Sequence, residues 1–341
     1  MRYSKIYVLA PANRCSGGPE LAHQLVNYLR SLKQDAYIVY MMQSLTISEE
    51  QVIPEPYIKY DIQTSNIIED MTHNMVVIPE TMFEFARQLK SANIACWWMS
   101  VDNFTKGYIN NTPLMWRKEK NIFENFRKNT HIIMAHLPIS QLDILYFLRK
   151  RKNTIQLYQS AYAKAYLEEH HFKRFYKLSD YINAELIPNE PINHLLKEDI
   201  VLYNPVKGLE FTERIIKSLP LVKFIPLQGL TREELNQLFN RAKLYVDFGN
   251  FPGKDRLPRE AVVHDCCIIT STTGAAAFFD DVPIADEYKF ANIKENLSAI
   301  IAKIKDIFLN YADRNKDFDT YRNIVKHEQQ QFYHEIEEIF L

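Results

Sequence analysis

Residues Tyr245 to Thr270, YVDFGNFPGKDRLPREAVVHDCCIIT, place a strand, a charged loop, a helix and a second strand in one short stretch. Few folds need that succession. Val246 and Phe248 close an apolar run, and Gly249 and Gly253 break it. Pro258 then suits the first turn of a helix, where a missing N–H costs nothing, so a helix is predicted to begin near Leu257. Lys254, Asp255, Arg256, Arg259 and Glu260 gather at that helix N-terminus, beside backbone N–H groups and a partial positive charge that favour a bound phosphate. In an open α/β sheet, ligands sit in the crevice beyond the carboxyl ends of the strands, which is where such a loop falls.

The rest of the chain repeats this alternation. KIYVLAP, from Lys5, reads as a strand; the turn Asn13 to Gly18 follows, and then a helix in which Leu21, Leu25, Tyr28, Leu29 and Leu32 keep an apolar stripe. DAYIVY, NMVVIPE, IACWWMSV, THIIMAHL and TIQLYQS read as further strands, with TMFEFARQLKSA helical between two of them, and AYAKAYLEEH and LSDYINAEL follow. Pro188, Asn189 and Pro191 interrupt the pattern and mark a linker. A second series then opens with DIVLYNP, the helix FTERIIKSL, the strand VKFIPLQ and the helix TREELNQLFNRA, capped by Thr231. From Lys316 onward, Phe318, Tyr321, Val325, Phe332, Ile336 and Ile339 recur at helical spacing. The prediction is an α/β protein of mostly parallel sheets, with domains at 1–187 and 195–315 and a closing helix at 316–341. A length of 341 residues suits two domains better than one.

A formal net charge of −1 supplies no global attraction to nucleic acid or membrane, so any basic site must be local. Arg149 to Lys152 form one basic cluster, and Arg117, Lys118 and Lys120 a second; a solvated helix end accounts for each, and peripheral membrane contact stays open. The four cysteines lack CxxC spacing and suit reduced thiols of a cytoplasmic protein. The apolar run Ile6 to Ala10 is too short for a signal-peptide core, and no stretch reaches membrane-spanning length, so a soluble protein is expected.

Three motifs, SGGPELAHQL from Ser16, YNPVKG from Tyr203 and PGKDRLPREA from Pro252, lie at strand-to-helix turns of two Rossmann-like halves. Together they resemble the GT-B class of nucleotide-sugar glycosyltransferases of bacterial capsule, O-antigen or lipooligosaccharide synthesis. The resemblance implies two Rossmann-like domains facing across a cleft, an acceptor in the first and a nucleotide-sugar donor in the second. It places Glu260 on the ribose hydroxyls, which a carboxylate with paired acceptor oxygens suits; the alternative is a glutamate complementing the helix dipole. Lys207, Lys254 and Arg256 would then compensate the departing diphosphate without a bound metal, although a turn lysine before glycine also accounts for Lys207. Asn204 stands near the place of a common arginine. Pro252 occupies the position of the second glutamate that many retaining members carry, so that signature is incomplete here. Thr272, Thr273 and Gly274 resemble the loop near the donor, with a helix N-cap as the alternative.

In the first half, Gly17 and Gly18 permit close backbone approach to a ligand at a helix start, and Glu20 and His23 would look toward the cleft or into solvent. Ser100, Asp102 and Asn103 end the fourth strand. Asp102 is the candidate general base of an inverting displacement, a capping aspartate being the alternative. His73 and His136 receive no role, and no residue cluster has metal-ligand spacing. Two other functions stay open: a nucleotide-sugar epimerase of the same architecture, and a non-catalytic partner in glycan assembly. Oligomeric state, sugar, base and acceptor are not specified.

Overall fold

The computed structural model of the chain describes residues 2–110, 138–291 and 295–341. They form two compact units: the first takes in the chain up to 159, 163–178 and 333–341, the second 160–162 and 179–332. THIIMAHL with its His136, and the basic residues Arg117, Lys118 and Lys120, lie outside the described residues.

The first unit is built on a six-stranded parallel sheet, β1 (Ile6–Pro11), β2 (Ala36–Met41), β3 (Met75–Pro79), β4 (Asn93–Trp98), β5 (Thr154–Tyr158) and β6 (Phe175–Lys177), in the spatial order β2-β1-β3-β4-β5-β6. β1, β3 and β4 read as near-continuous apolar runs because both faces of a parallel sheet are covered, and nearly every residue in them is buried. The glycine turn opens the helix Gly17–Ser31, whose inner face buries Leu21, Leu25, Val26 and Leu29 as the stripe predicts. TMFEFARQLKSA becomes a 3-10 stretch, Glu80–Gln88. The short β6 is a strand that the pattern did not signal. LSDYINAEL runs irregularly except for one 3-10 turn at Ala184–Leu186, while AYAKAYLEEH gives the helix Ala161–Glu169.

The second unit carries a five-stranded parallel sheet, β7 (Glu198–Tyr203), β8 (Lys223–Pro226), β9 (Ala242–Asp247), β10 (Cys267–Ser271) and β11 (Lys289–Phe290), ordered β11-β10-β9-β7-β8. Its central strands bury Val201, Leu202, Leu244, Tyr245, Ile268 and Ile269 under the helices Leu209–Ser218, Arg232–Arg241, Arg256–Val263 and Leu297–Leu309. Thr231 does cap its helix: the Thr231 hydroxyl accepts from Glu234 N, and the Glu234 carboxylate accepts from Thr231 N in a capping box.

The last helix, Asp319–Phe340, is as long as its apolar spacing implies. Tyr321, Val325 and Phe332 are buried within the second unit, and beyond them Tyr333 stacks on Tyr28 of the first at 3.7 Å between ring centroids while Tyr28 Oη donates to Glu337 at 2.5 Å. No helix among the described residues is long and apolar enough to cross a membrane.

Candidate functional site

Strand order fixes where each unit can hold a ligand. In the second unit the chain runs from β7 outward to β8, returns across β7 to β9 and continues to β10. Right-handed crossovers therefore leave β7 and β9 on opposite faces, and the loops after these two strands part at a topological switch point. Those loops are Asn204–Gly208 and Phe248–Asp255, the two that carry Lys207 and the PGKDR segment.

The loops approach one another backbone to backbone. Gly208 holds φ +63°, and a Cβ there would stand 2.5 Å from the carbonyl carbon of Phe248. Gly208→Ala would combine a left-handed alanine with a collision against main chain, and is expected to lower stability by at least about 1–2 kcal/mol; the melting temperature of the variant checks it, and an unchanged value would show that the loops can part freely. The loop after β10 joins the same assembly: the Thr273 and Ser271 hydroxyls donate to Gly249 O at 2.9 and 2.7 Å, and Ala275 N donates to Phe251 O at 2.8 Å. Beneath the loops Asp247 is buried, accepting from Tyr245 Oη and Gly249 N, both at 2.9 Å, and burial pushes its carboxyl up to about 6.

Within this frame each expected residue has a definite place. Lys207 reaches across the switch point to pair with Asp255. Asn204 serves the turn itself, its carbonyl oxygen accepting from Val206 N at 3.0 Å. Arg256 is the first residue of the helix Arg256–Val263 and lies partly exposed at its N-terminus. Thr273 and Gly274 shape the loop after β10, where Gly274 has φ +61°. Glu260 is the fifth residue of Arg256–Val263, one turn past Arg256 and not in the first turn, with its side chain only 5% exposed, and Oε2 accepts from Arg232 Nη1 at 2.8 Å.

Lys254 is a correction. Its side chain is only 10% exposed, and its ammonium pairs with Glu328 at 2.8 Å and with Asp180 at 3.7 Å, so its charge serves the interior rather than a diphosphate. The reason lies one turn on. Arg259, fully buried, donates to Asp180 through Nη1 and Nη2 at 3.0 and 2.5 Å and to Glu328 at 2.8 Å. Two buried carboxylates need two cations, and Lys254 supplies the second. Burial alone would push the Asp180 carboxyl up, but Arg259 and Lys254 outweigh it and hold it below its ordinary value.

The first unit has the same geometry. Its chain runs from β1 to β2, returns to β3 and continues to β4, so the switch point lies between β1 and β3. The Ser16-Gly17-Gly18 turn follows β1, and Tyr57 clasps it, accepting from Ser16 N at 3.0 Å and donating to Ser16 O at 3.1 Å. His23 looks neither to solvent nor to an opening: it is fully buried against the Tyr57 ring at 4.2 Å. Its Nδ1–H donates to Pro19 O at 2.6 Å, which leaves Nε2 to accept from Tyr40 Oη at 2.8 Å, a neutral imidazole whose protonation burial opposes.

A residue that the sequence reading passed over, Glu80, ends β3. It is buried, accepts from Met99 N at 3.2 Å and bonds Ser100 N and the Asn103 side chain. Burial pushes its carboxyl up to about 7. Gly18 lies against Met99, where a Cβ would stand 3.7 Å from the sulfur. Ser100 caps the helix Val101–Asn110, its Oγ accepting from Asn103 N at 3.2 Å. Asp102 is therefore in the first turn of that helix, partly exposed, without being its cap. A carboxylate directly after an apolar strand was the available signal for Glu80, the same signal that singled out Asp102.

No protein-family model matches the sequence, and no curated protein matches it. Solved structures do. A sucrose-phosphate synthase from Thermosynechococcus elongatus is similar at 12% identity and a TM-score of 0.62, over 99% of this chain and 98% of that one. Anabaena HepE, solved with UDP-glucose, is similar at 9% identity and 0.60, over 98% of each chain. WaaG, a glycosyltransferase involved in lipopolysaccharide biosynthesis, is similar at 11% identity and 0.54, over 98% of each chain. With its two parallel-sheet units and long last helix, this chain has the GT-B fold.

Proposed function

We propose that this protein is a glycosyltransferase that moves a sugar from a nucleotide-sugar donor to a glycan or lipid-linked acceptor in surface-polysaccharide synthesis. One observation carries the reading: at the switch point of the second unit, the Lys207 loop meets the loop that leads into the helix Arg256–Val263, Lys207 pairing with Asp255, and that helix carries Arg256 as its first residue and Glu260 one turn on. A ribose diol and a diphosphate ask for that combination, acceptor oxygens for the one and cations with backbone N–H groups for the other. Glu260 would hold the ribose. Lys207, exchanging Asp255 for phosphate oxygen, and Arg256 would stabilise the charge that grows on the leaving diphosphate, without a metal. Asn204 keeps the Lys207 turn, and the Thr273–Gly274 loop would border the donor sugar. The solved relatives support the donor class, since HepE was solved with UDP and with UDP-glucose.

In the first unit, the acceptor would lie by the Gly17–Gly18 turn and Asp102, which would take the proton of the attacking hydroxyl. Such a protein would work in the cytoplasm, where nucleotide sugars are made, in peripheral contact with the inner membrane when its acceptor is lipid-linked.

Nucleoside diphosphates test the donor site, because an anion site assembled from three loops exists only in the folded chain. At a concentration about 100 times the dissociation constant, the bound nucleotide should stabilise the protein by about 2.7 kcal/mol, read as a rise in melting temperature. No rise with millimolar UDP, GDP, ADP or CDP would overturn the assignment.

A further inference from the structure

Arg232 opens the helix Arg232–Arg241, which connects β8 to β9, and its place is fixed by the Thr231–Glu234 capping box immediately before it. The helix Arg256–Val263 follows β9. Both helices therefore begin at the carboxyl end of the sheet, and right-handed crossovers set them on the same face. There Arg232 Nη1 donates to Glu260 Oε2 at 2.8 Å. The two partners differ sharply in exposure: the Glu260 side chain is 5% exposed and that of Arg232 53%.

A guanidinium has five N–H donors in a rigid fork, and the only hydrogen bond of Arg232 among the described residues uses one of them. The half-exposed side chain thus keeps its unused donors beside the Glu260 carboxylate. A vicinal diol has two hydroxyl protons to give and two oxygens that can accept. A carboxylate alone meets only the first need. A carboxylate with a guanidinium beside it meets both, because Glu260 can take the hydroxyl protons while the spare Arg232 donors reach the hydroxyl oxygens.

We propose that Arg232 is a specificity-determining residue that, with Glu260, reads the ribose diol and makes the donor site selective for ribonucleotides over 2′-deoxyribonucleotides. This rests on the reading of Glu260 as the ribose ligand. The competing role is charge compensation alone, in which Arg232 only offsets the charge of a buried carboxylate. That role predicts equal losses for ribo and deoxy ligands when Arg232 is removed, because both would meet the same altered carboxylate.

The test measures the affinities of UDP, GDP, ADP and CDP, each against its 2′-deoxy counterpart, for the parent, Arg232→Met and Arg232→Lys, with the melting temperature of each protein recorded without ligand. The parent should prefer the ribo form of the nucleotide it binds by about tenfold or more, the worth of one hydrogen bond of about 1.4 kcal/mol. Arg232→Met should cut that preference to less than about threefold, mainly by weakening the ribo form, and Arg232→Lys, which keeps the charge and loses the fork, should fall between. An undiminished preference in Arg232→Met, or in Arg232→Lys if the methionine variant does not fold, overturns the proposal, as does a parent that binds both sugars alike. A parent that binds none of the nucleotides overturns instead the donor-site reading on which the proposal stands.

Discussion

Arg259→Met is expected to cost about 3–5 kcal/mol of stability, the range for removing one partner from a buried ion pair and leaving the other uncompensated. The methionine fills much of the same volume, so the loss reports charge rather than a cavity. Arg259 faces Asp180 with two nitrogens and Glu328 with one, and all three side chains are buried. Without it, Lys254 is left to answer two carboxylates. The pH dependence has a definite sign. In the parent, Asp180 is held below its ordinary value of 3.8, so its contribution is fully present above that value and is lost only as pH falls through the still lower folded value. In the variant, burial of Asp180 is no longer outweighed, its carboxyl rises above its unfolded value, and stability is instead recovered as the pH falls. The gap in melting temperature between parent and variant should therefore be widest near pH 7.5 and narrow toward pH 5. A gap that is small, or the same at both, would show that water or Lys254 already compensates the carboxylates.

That network explains why the sequence misled at Lys254. Asp180 and Glu328 stand 79 and 69 residues from Arg259, and nothing local in PGKDRLPREA distinguishes a cation facing solvent from one facing a distant buried carboxylate. What was legible was whatever period and turn chemistry dictate: the apolar runs of β1, β3, β4 and β9, the Thr231 cap, the proline in the first turn of Arg256–Val263 and the long last helix. The strands β6 and β11, three and two residues long, are too short to carry a period. His23 illustrates the same limit. Position on a helix allowed it to face an opening, and only Tyr40 and Tyr57, brought in from β2 and a later turn, show that it is enclosed. Likewise Glu80 becomes meaningful once β3 is seen between β1 and β4, because that order sets it beside the turns carrying Gly18 and Asp102.

Asp102→Asn is expected to lower turnover by about 10²–10⁴-fold, the contribution of a positioned general base, while nucleotide binding and melting temperature stay at parental values. The amide keeps the shape of the side chain but cannot accept a proton from an acceptor hydroxyl. Its position favours this outcome over a structural one. Ser100 Oγ already caps the helix Val101–Asn110, and Glu80 holds the preceding Met99 and Ser100 amides, so the turn does not depend on Asp102 for its cap. Were Asp102 nevertheless a stabilising end group, asparagine would substitute for it with little loss, because the two cap helices about equally well; turnover and stability would then both stay near parental. Turnover separates these cases, and a parental melting temperature on the same preparation shows that the fold is intact. Lost turnover with intact nucleotide binding places the proton transfer at Asp102. Near-parental turnover removes Asp102 from the mechanism and leaves the acceptor to be activated elsewhere in the first unit or by a retaining route in which the leaving diphosphate takes the proton.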